Sequence, residues 1–125
     1  MRERATTRQF MLWCGDYFSG SWEAWMAPVV TPEKPVDPAA RRKARDDMQA
    51  HMDVVERRLE GREWLIDDYS LADICYAPLV TVFDRVALGD LIDTRPAVAA
   101  WVERFRARPA VRDTEPPPVR VSLPQ

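Results

Sequence analysis

The stretch Tyr69-Ser70-Leu71-Ala72-Asp73-Ile74 decides the reading of this chain. Ser70 and Asp73 have the three-residue spacing of a helix capping box, with Asp in the place more often held by Glu or Gln. In that arrangement the Ser70 hydroxyl accepts from the Asp73 backbone N–H, and the Asp73 carboxylate reaches back to the N–H of Ser70. Two donors that a helix start leaves without partners are then satisfied reciprocally. Tyr69 and Ile74 flank the box at the positions of a hydrophobic staple, so a helix is set to begin at Leu71. A serine beside a carboxylate also suggests nucleophilic chemistry. Capping accounts for the spacing, however, and no histidine is close in sequence to activate the hydroxyl. Ser70 and Asp73 are therefore read as structural, and replacing either with alanine is expected to cost roughly 1 kcal/mol.

From this cap the helix is expected to run to Leu88, apolar nearly all round and hence central and buried, with a kink at Pro78. A further helix opens near Pro96 and places Val98, Trp101, Val102 and Phe105 on one face; Arg108-Pro109 closes it, because a residue before proline avoids the helical region. Residues 114–125, with four prolines, read as an extended, polyproline-like tail following a single domain over 1–113. Upstream of the cap, Asp37 and Pro38 start a helix that reaches about Glu60 and ends at Gly61. Ala44, Met48, Met52, Val55 and Leu59 form its buried stripe. Arg41, Arg42, Lys43 and Arg45 crowd its first turns, the wrong sign for the helix dipole, and mark either a solvated face or a contact with an anion or partner.

The first helix is expected from Glu3 to Ala27, with a bend or break between Gly15 and Gly20 and a proline-rich loop from Pro28 to Asp37. It carries two apolar stripes. One contains Phe10, Trp13, Cys14 and Tyr17; the other contains Met11, Phe18, Trp22, Trp25 and Met26. Two stripes imply two buried faces, one toward the domain's own core and one toward something else. No strand pattern is found, and the fold class is all-α, a helical bundle.

Composition narrows the function. With 125 residues, 46% hydrophobic and 30% charged, the chain is an ordinary globular domain. A formal charge of -2 gives no ground for nucleic-acid binding, and no apolar run is long enough for a membrane span. The first eight residues lack the apolar core of a signal peptide. Two isolated cysteines, Cys14 and Cys75, suit a reducing cytoplasm, and together with the single His51 they make no zinc-type ligand set.

The string Leu59-Glu60-Gly61-Arg62-Glu63-Trp64-Leu65, then Tyr69 to Ile74, resembles the centre of a glutathione S-transferase C-terminal domain. Arg95-Pro96-Ala97-Val98-Ala99-Ala100-Trp101, ending at Arg108-Pro109-Ala110-Val111, resembles the family's next helix and terminal motif. Arg4-Ala5 with Arg8-Gln9-Phe10-Met11-Leu12-Trp13 is similar to its opening helix. The resemblance covers roughly residues 3 to 113. It implies a helical domain that supplies walls of a hydrophobic co-substrate pocket and part of a dimer interface. It also implies a preceding thioredoxin-like domain that binds glutathione and activates its thiol, and no such pattern is found here.

On this reading Trp13, Cys14 and Tyr17 are candidates for the substrate pocket, Trp22 and Trp25 for an interface. The same aromatic residues serve equally well as core anchors. Cys14 has no neighbour in sequence that would lower its pKa. Asp16 sits mid-helix, where some members of the family it resembles use a carboxylate to reach the amino group of glutathione in the neighbouring subunit, and His51 reads as a partly exposed structural residue. No catalytic residue is assigned. The expected function is that of a glutathione S-transferase-like helical half that cannot conjugate glutathione unaided. Its partners would be a second copy, a thioredoxin-like domain or a small hydrophobic ligand, and it would hold glutathione only together with the thioredoxin-like partner. The alternative is a non-catalytic interaction scaffold of the same fold.

Overall fold

A computed structural model describes residues 2–115 and 117. The elements are α1 (Arg2–Leu12), a π-helical turn (Trp13–Phe18), α2 (Ser19–Val30), α3 (Pro38–Leu59), α4 (Leu71–Val80), a 3-10 turn (Phe83–Arg85), α5 (Asp90–Asp93), α6 (Pro96–Ala107) and α7 (Pro109–Asp113). None of the described residues forms a strand, so the all-α expectation holds.

The first helical run continues without a break from Arg2 to Val30, with a π turn at Trp13–Phe18 in the region of the expected bend. Between Trp13 and Phe18 the hydrogen bonds widen to five residues, and the Cys14 carbonyl accepts both the Ser19 N–H and, at 2.9 Å, the Ser19 hydroxyl. This wide turn corrects the two-face reading. Residues four apart drift around a regular α-helix by about 40° per step. The wider turn removes that drift, so Phe10, Cys14 and Phe18 enter one core together with Trp25. Trp13, Trp22 and Met26 pack half-buried along its edges, and Tyr17 is left 69% exposed. Helix α2 also runs three residues past the expected end. Pro28 sits in its last turn, where only one backbone bond is lost, and the Thr31 N–H still reaches the Ala27 carbonyl at 2.8 Å.

Helix α3 follows its sequence reading closely. The Asp37 carboxylate accepts from the N–H groups of Ala39 and Ala40, and Ala44, Met48, Met52, Val55 and Leu59 are buried. Gly61 adopts φ 69°, the left-handed conformation in which a helix stop favours glycine. The basic cluster on the first turns is tied back to the chain. The Arg41 guanidinium lies 4.3 Å from the Trp25 ring, Arg45 pairs with Asp90, and Lys43 pairs with Asp47.

Helix α4 is shorter and less enclosed than the sequence implies. It stops at Val80, not Leu88. Pro78 withdraws one donor, and the Thr81 N–H and hydroxyl both settle on the Ala77 carbonyl, at 3.2 and 2.6 Å. Ala72, Asp73, Tyr76, Ala77 and Val80 face the core, whereas Leu71 and Ile74 are 56% and 44% exposed. An all-round apolar helix was expected to be buried all round, and among the described residues its outer face at Leu71 and Ile74 is instead left exposed.

Helix α6 buries Val98, Trp101, Val102 and Phe105 as read from sequence, and the Arg108-Pro109 stop is followed by the short α7. Its N-terminus is capped from α3. Glu56 accepts from the N–H groups of Ala97 and Val98 at 3.0 and 2.7 Å, and the neighbouring Arg95 forks onto Asp53 at 2.9 and 2.6 Å. Of the tail expected over 114–125, only Thr114, Glu115 and Pro117 are described. Arg85 holds the Glu115 carboxylate at 2.7 Å and the Pro117 carbonyl at 3.0 Å. The rest of that expectation lies outside the described residues.

Candidate functional site

The capping pair proves to be a junction of the core. The Asp73 side chain is fully buried. One carboxylate oxygen accepts the Leu65 N–H and the Trp101 indole N–H, each at 2.9 Å. The other accepts the Ser70 N–H at 3.0 Å and the Ser70 hydroxyl at 3.2 Å. The Ser70 hydroxyl in turn accepts the Ala72 N–H at 3.2 Å. The expected box is present, and the same carboxylate also fixes the 60–70 connection and α6. A carboxylate with four donors on it, and no access to solvent, has no lone pair available for substrate chemistry. Ser70 and Asp73 are structural.

Beside this junction lies an aromatic chamber shared by the first helix, α3 and α4. His51 Nε2 and the Tyr76 hydroxyl are 2.7 Å apart, with the rings of Phe18 and Trp13 against the imidazole and Phe83 stacked on Phe18. Trp22 stacks on Phe83 in turn. Burial pushes the His51 pKa down to about 4, so the imidazole is neutral at pH 7. Burial, with the nearby thiols, pushes the Tyr76 hydroxyl up. The pair is a neutral hydrogen bond. Cys14 borders the same chamber, and burial together with Cys75 pushes its thiol up to about 12. A thiol held that high is protonated at neutral pH and is a poor nucleophile.

Two grooves open from this core. A furrow of about 440 Å³ between the first helix and α3 is lined by Tyr17, Phe18, Ser21, Lys43, Asp47, Ala50, His51 and Val54. It continues past Asp16, Gly20 and Ala24. A second groove, of about 420 Å³, lies between α4 and α7 and is walled by Tyr69, Ile74, Ala77, Pro78, Val82 and Val111, among others. Its mostly apolar walls suit an apolar occupant.

The sequence-derived candidates are thus divided. Tyr17 lines the furrow, Cys14 is in the core and Trp13 stands half-buried between them. Of the two interface candidates, Trp22 is half-buried on Phe83. Trp25 is buried at 9% exposure and its indole N–H donates to the Val86 carbonyl at 2.9 Å. Trp25 is therefore a core residue, because both its ring and its donor are used inside the chain. Asp16 is exposed at the rim of the furrow. The Tyr76 hydroxyl was missed by sequence reading, although Asp73, Tyr76, Ala77 and Val80 share one helical face that could have signalled it. Glu56 and Arg95 carried no local signal at all.

The furrow's one lysine, Lys43, is paired with Asp47, and Asp16 adds a second carboxylate to its rim. Among the described residues, no group of three or more His, Cys, Asp or Glu side chains could hold a metal ion. None of the described helices is long and apolar enough to cross a membrane.

These helices build an all-α bundle around a capped central helix locked by a buried carboxylate. The family model for the glutathione S-transferase C-terminal domain matches residues 38–104, just over half of the chain. The probable glutathione S-transferase GSTF1 of Oryza sativa subsp. japonica is 33% identical over 88 residues, 70% of this chain and 38% of that protein. The disulfide-bond oxidoreductase YfcG of Escherichia coli (strain K12) is 32% identical over 114 residues, 87% of this chain and 50% of that protein. The crystal structure of glutathione transferase F7 from Populus trichocarpa shares the fold, with a TM-score of 0.76 at 22% identity over 89% of this chain and 54% of that one. The chain belongs to the glutathione S-transferase C-terminal domain family. It spans half or less of the length of the two curated relatives named here.

Proposed function

We propose that this chain is the helical half of a glutathione S-transferase-type unit, which offers an apolar co-substrate wall and docks a thioredoxin-like half. The observation that carries the reading is the uncovered apolar face of two packed helices. Leu12 on α1, and Leu71 and Ile74 on α4, are 60%, 56% and 44% exposed. The groove walled by Tyr69, Ile74, Ala77, Pro78 and Val82 adjoins Ile74 on the same helix. Exposed large apolar side chains on two packed helices are the raw material of an interaction surface. Glutathione is held and activated by the thioredoxin-like half; the helical half contributes Trp13 and Tyr17 near the furrow and the apolar groove beside α4. Self-association through the first helix, around Tyr17, is part of the same reading, as is residence in the cytoplasm.

The test is reconstitution in trans. The purified chain is assayed for glutathione capture and conjugation alone, and again after addition of a separately expressed thioredoxin-like domain. No capture and no turnover alone, with binding on addition that Leu71→Ser and Ile74→Ser weaken, is the expected result. Turnover by the chain alone, lost in Cys14→Ser, would overturn it. Binding without turnover for any hydrophobic electrophile would favour the scaffold reading.

A further inference from the structure

The two cysteines stand apart from the function proposed above. Cys14 lies in the π turn of the first helix and Cys75 on α4, 61 residues later. The Cys14 thiol donates to the Cys75 carbonyl oxygen at 3.3 Å, which sets the two residues side by side where α1 and α4 pack. Both are free thiols; Cys14 is buried and Cys75 half-buried, so one is reachable from solvent and the other is behind it. The presence of Cys75 adds to the upward push on the Cys14 thiol, and both thiols push up the hydroxyl of Tyr76, so the three groups share one electrostatic neighbourhood. A disulfide asks for Cα atoms within about 7 Å and side chains that can turn toward each other. Cys14 sits within the π turn, where the helix departs from regular α geometry.

We propose that Cys14 and Cys75 form a redox pair that closes to an intrachain disulfide under a low-molecular-weight disulfide oxidant, stapling the first helix to α4. With glutathione disulfide the half-buried Cys75 thiolate attacks first, forming a mixed disulfide and expelling one glutathione thiolate. The Cys14 thiolate then attacks the Cys75 sulfur and expels the second. The two protein thiols lose two protons and two electrons, and two molecules of glutathione carry them away. Both thiols are pushed up by burial, so closure is slow at neutral pH. The position of the equilibrium, set by how well the fold pre-aligns the pair, is the property the structure speaks to.

The experiment uses the whole chain. It is equilibrated at pH 8 in buffers of graded glutathione to glutathione disulfide ratio, quenched with acid and weighed intact. A species lighter by two hydrogens, giving a Cys14–Cys75 linked peptide on digestion and absent from Cys14→Ala and Cys75→Ala, is expected. Repeating the titration in strong denaturant measures closure without the fold, and the native equilibrium constant should exceed it at least tenfold. The cross-linked chain should also melt higher by roughly 5 °C. A stable glutathione adduct on Cys75, a Cys75–Cys75 link between two chains, unreacted thiols at the most oxidising ratio, or equal constants with and without denaturant would each overturn the proposal. None of these readouts depends on whether a thioredoxin-like half binds.

Discussion

Trp101 donates its indole N–H to the buried carboxylate of Asp73 across 2.9 Å, although 28 residues separate them. This one bond turns a local helix cap into a tertiary lock, because the same oxygen also holds the Leu65 N–H. Equal losses for Ser70→Ala and Asp73→Ala are therefore no longer expected. Ser70→Ala should cost about 1 kcal/mol. Asp73→Ala strands three N–H groups in the core and should cost roughly 3–5 kcal/mol. Urea denaturation of both variants measures the difference, and a double-mutant cycle with Trp101→Phe isolates the indole bond.

Trp25 should report on stability more than on assembly. Trp25→Ser removes a buried ring and the donor to the Val86 carbonyl, and an Arg41 stack is lost with it. A loss of about 3–5 kcal/mol is expected, with no specific change in association at matched folded concentration. Thermal melts paired with sedimentation separate the two effects.

Tyr17 carries the opposite expectation. Its ring is 69% exposed at the edge of the furrow, so Tyr17→Ser should leave stability within about 0.5 kcal/mol of wild type. If the first helix forms the self-association surface, the same change should shift the protein toward monomer in sedimentation velocity at tens of micromolar. A wild-type monomer under those conditions would remove self-association from the proposed function.

His51 should make stability fall on acidification. Its pKa is about 4 in the fold against 6.5 unfolded, so between those values the unfolded chain binds the extra proton. Stability is therefore full above about pH 6.5, is lost as pH falls toward 4, and loses nothing further from this group below that. The slope approaches at most about 1.4 kcal/mol per pH unit, for a total on the order of 1–3 kcal/mol. His51→Gln keeps a partner for the Tyr76 hydroxyl and cannot titrate, so its denaturation midpoint should vary less between pH 7 and pH 5 than that of the wild type.

Local chemistry was legible in the sequence. Asp37, Gly61, Ser70 with Asp73, and Arg108-Pro109 punctuate the helices where they were read, because caps and stops act over three or four residues. The buried stripes of α3 and α6 followed from helical period alone. Other features depended on what lay across the core. Helix period cannot show that a π turn realigns Phe10, Cys14 and Phe18 and leaves Tyr17 outside, since hydrogen-bond width is chosen by packing. Nor can it show that Asp73 meets Trp101, that Glu56 caps α6, or that Cys14 touches Cys75, since each pairs residues from 28 to 61 positions apart. The sequence by itself determined the all-α fold class, both ends of α3, the start of α4 and the close of α6, because those signals are local. The tertiary structure decided which apolar residues that fold covers and which, like Leu71 and Ile74, it leaves exposed, because burial belongs to neighbours in space.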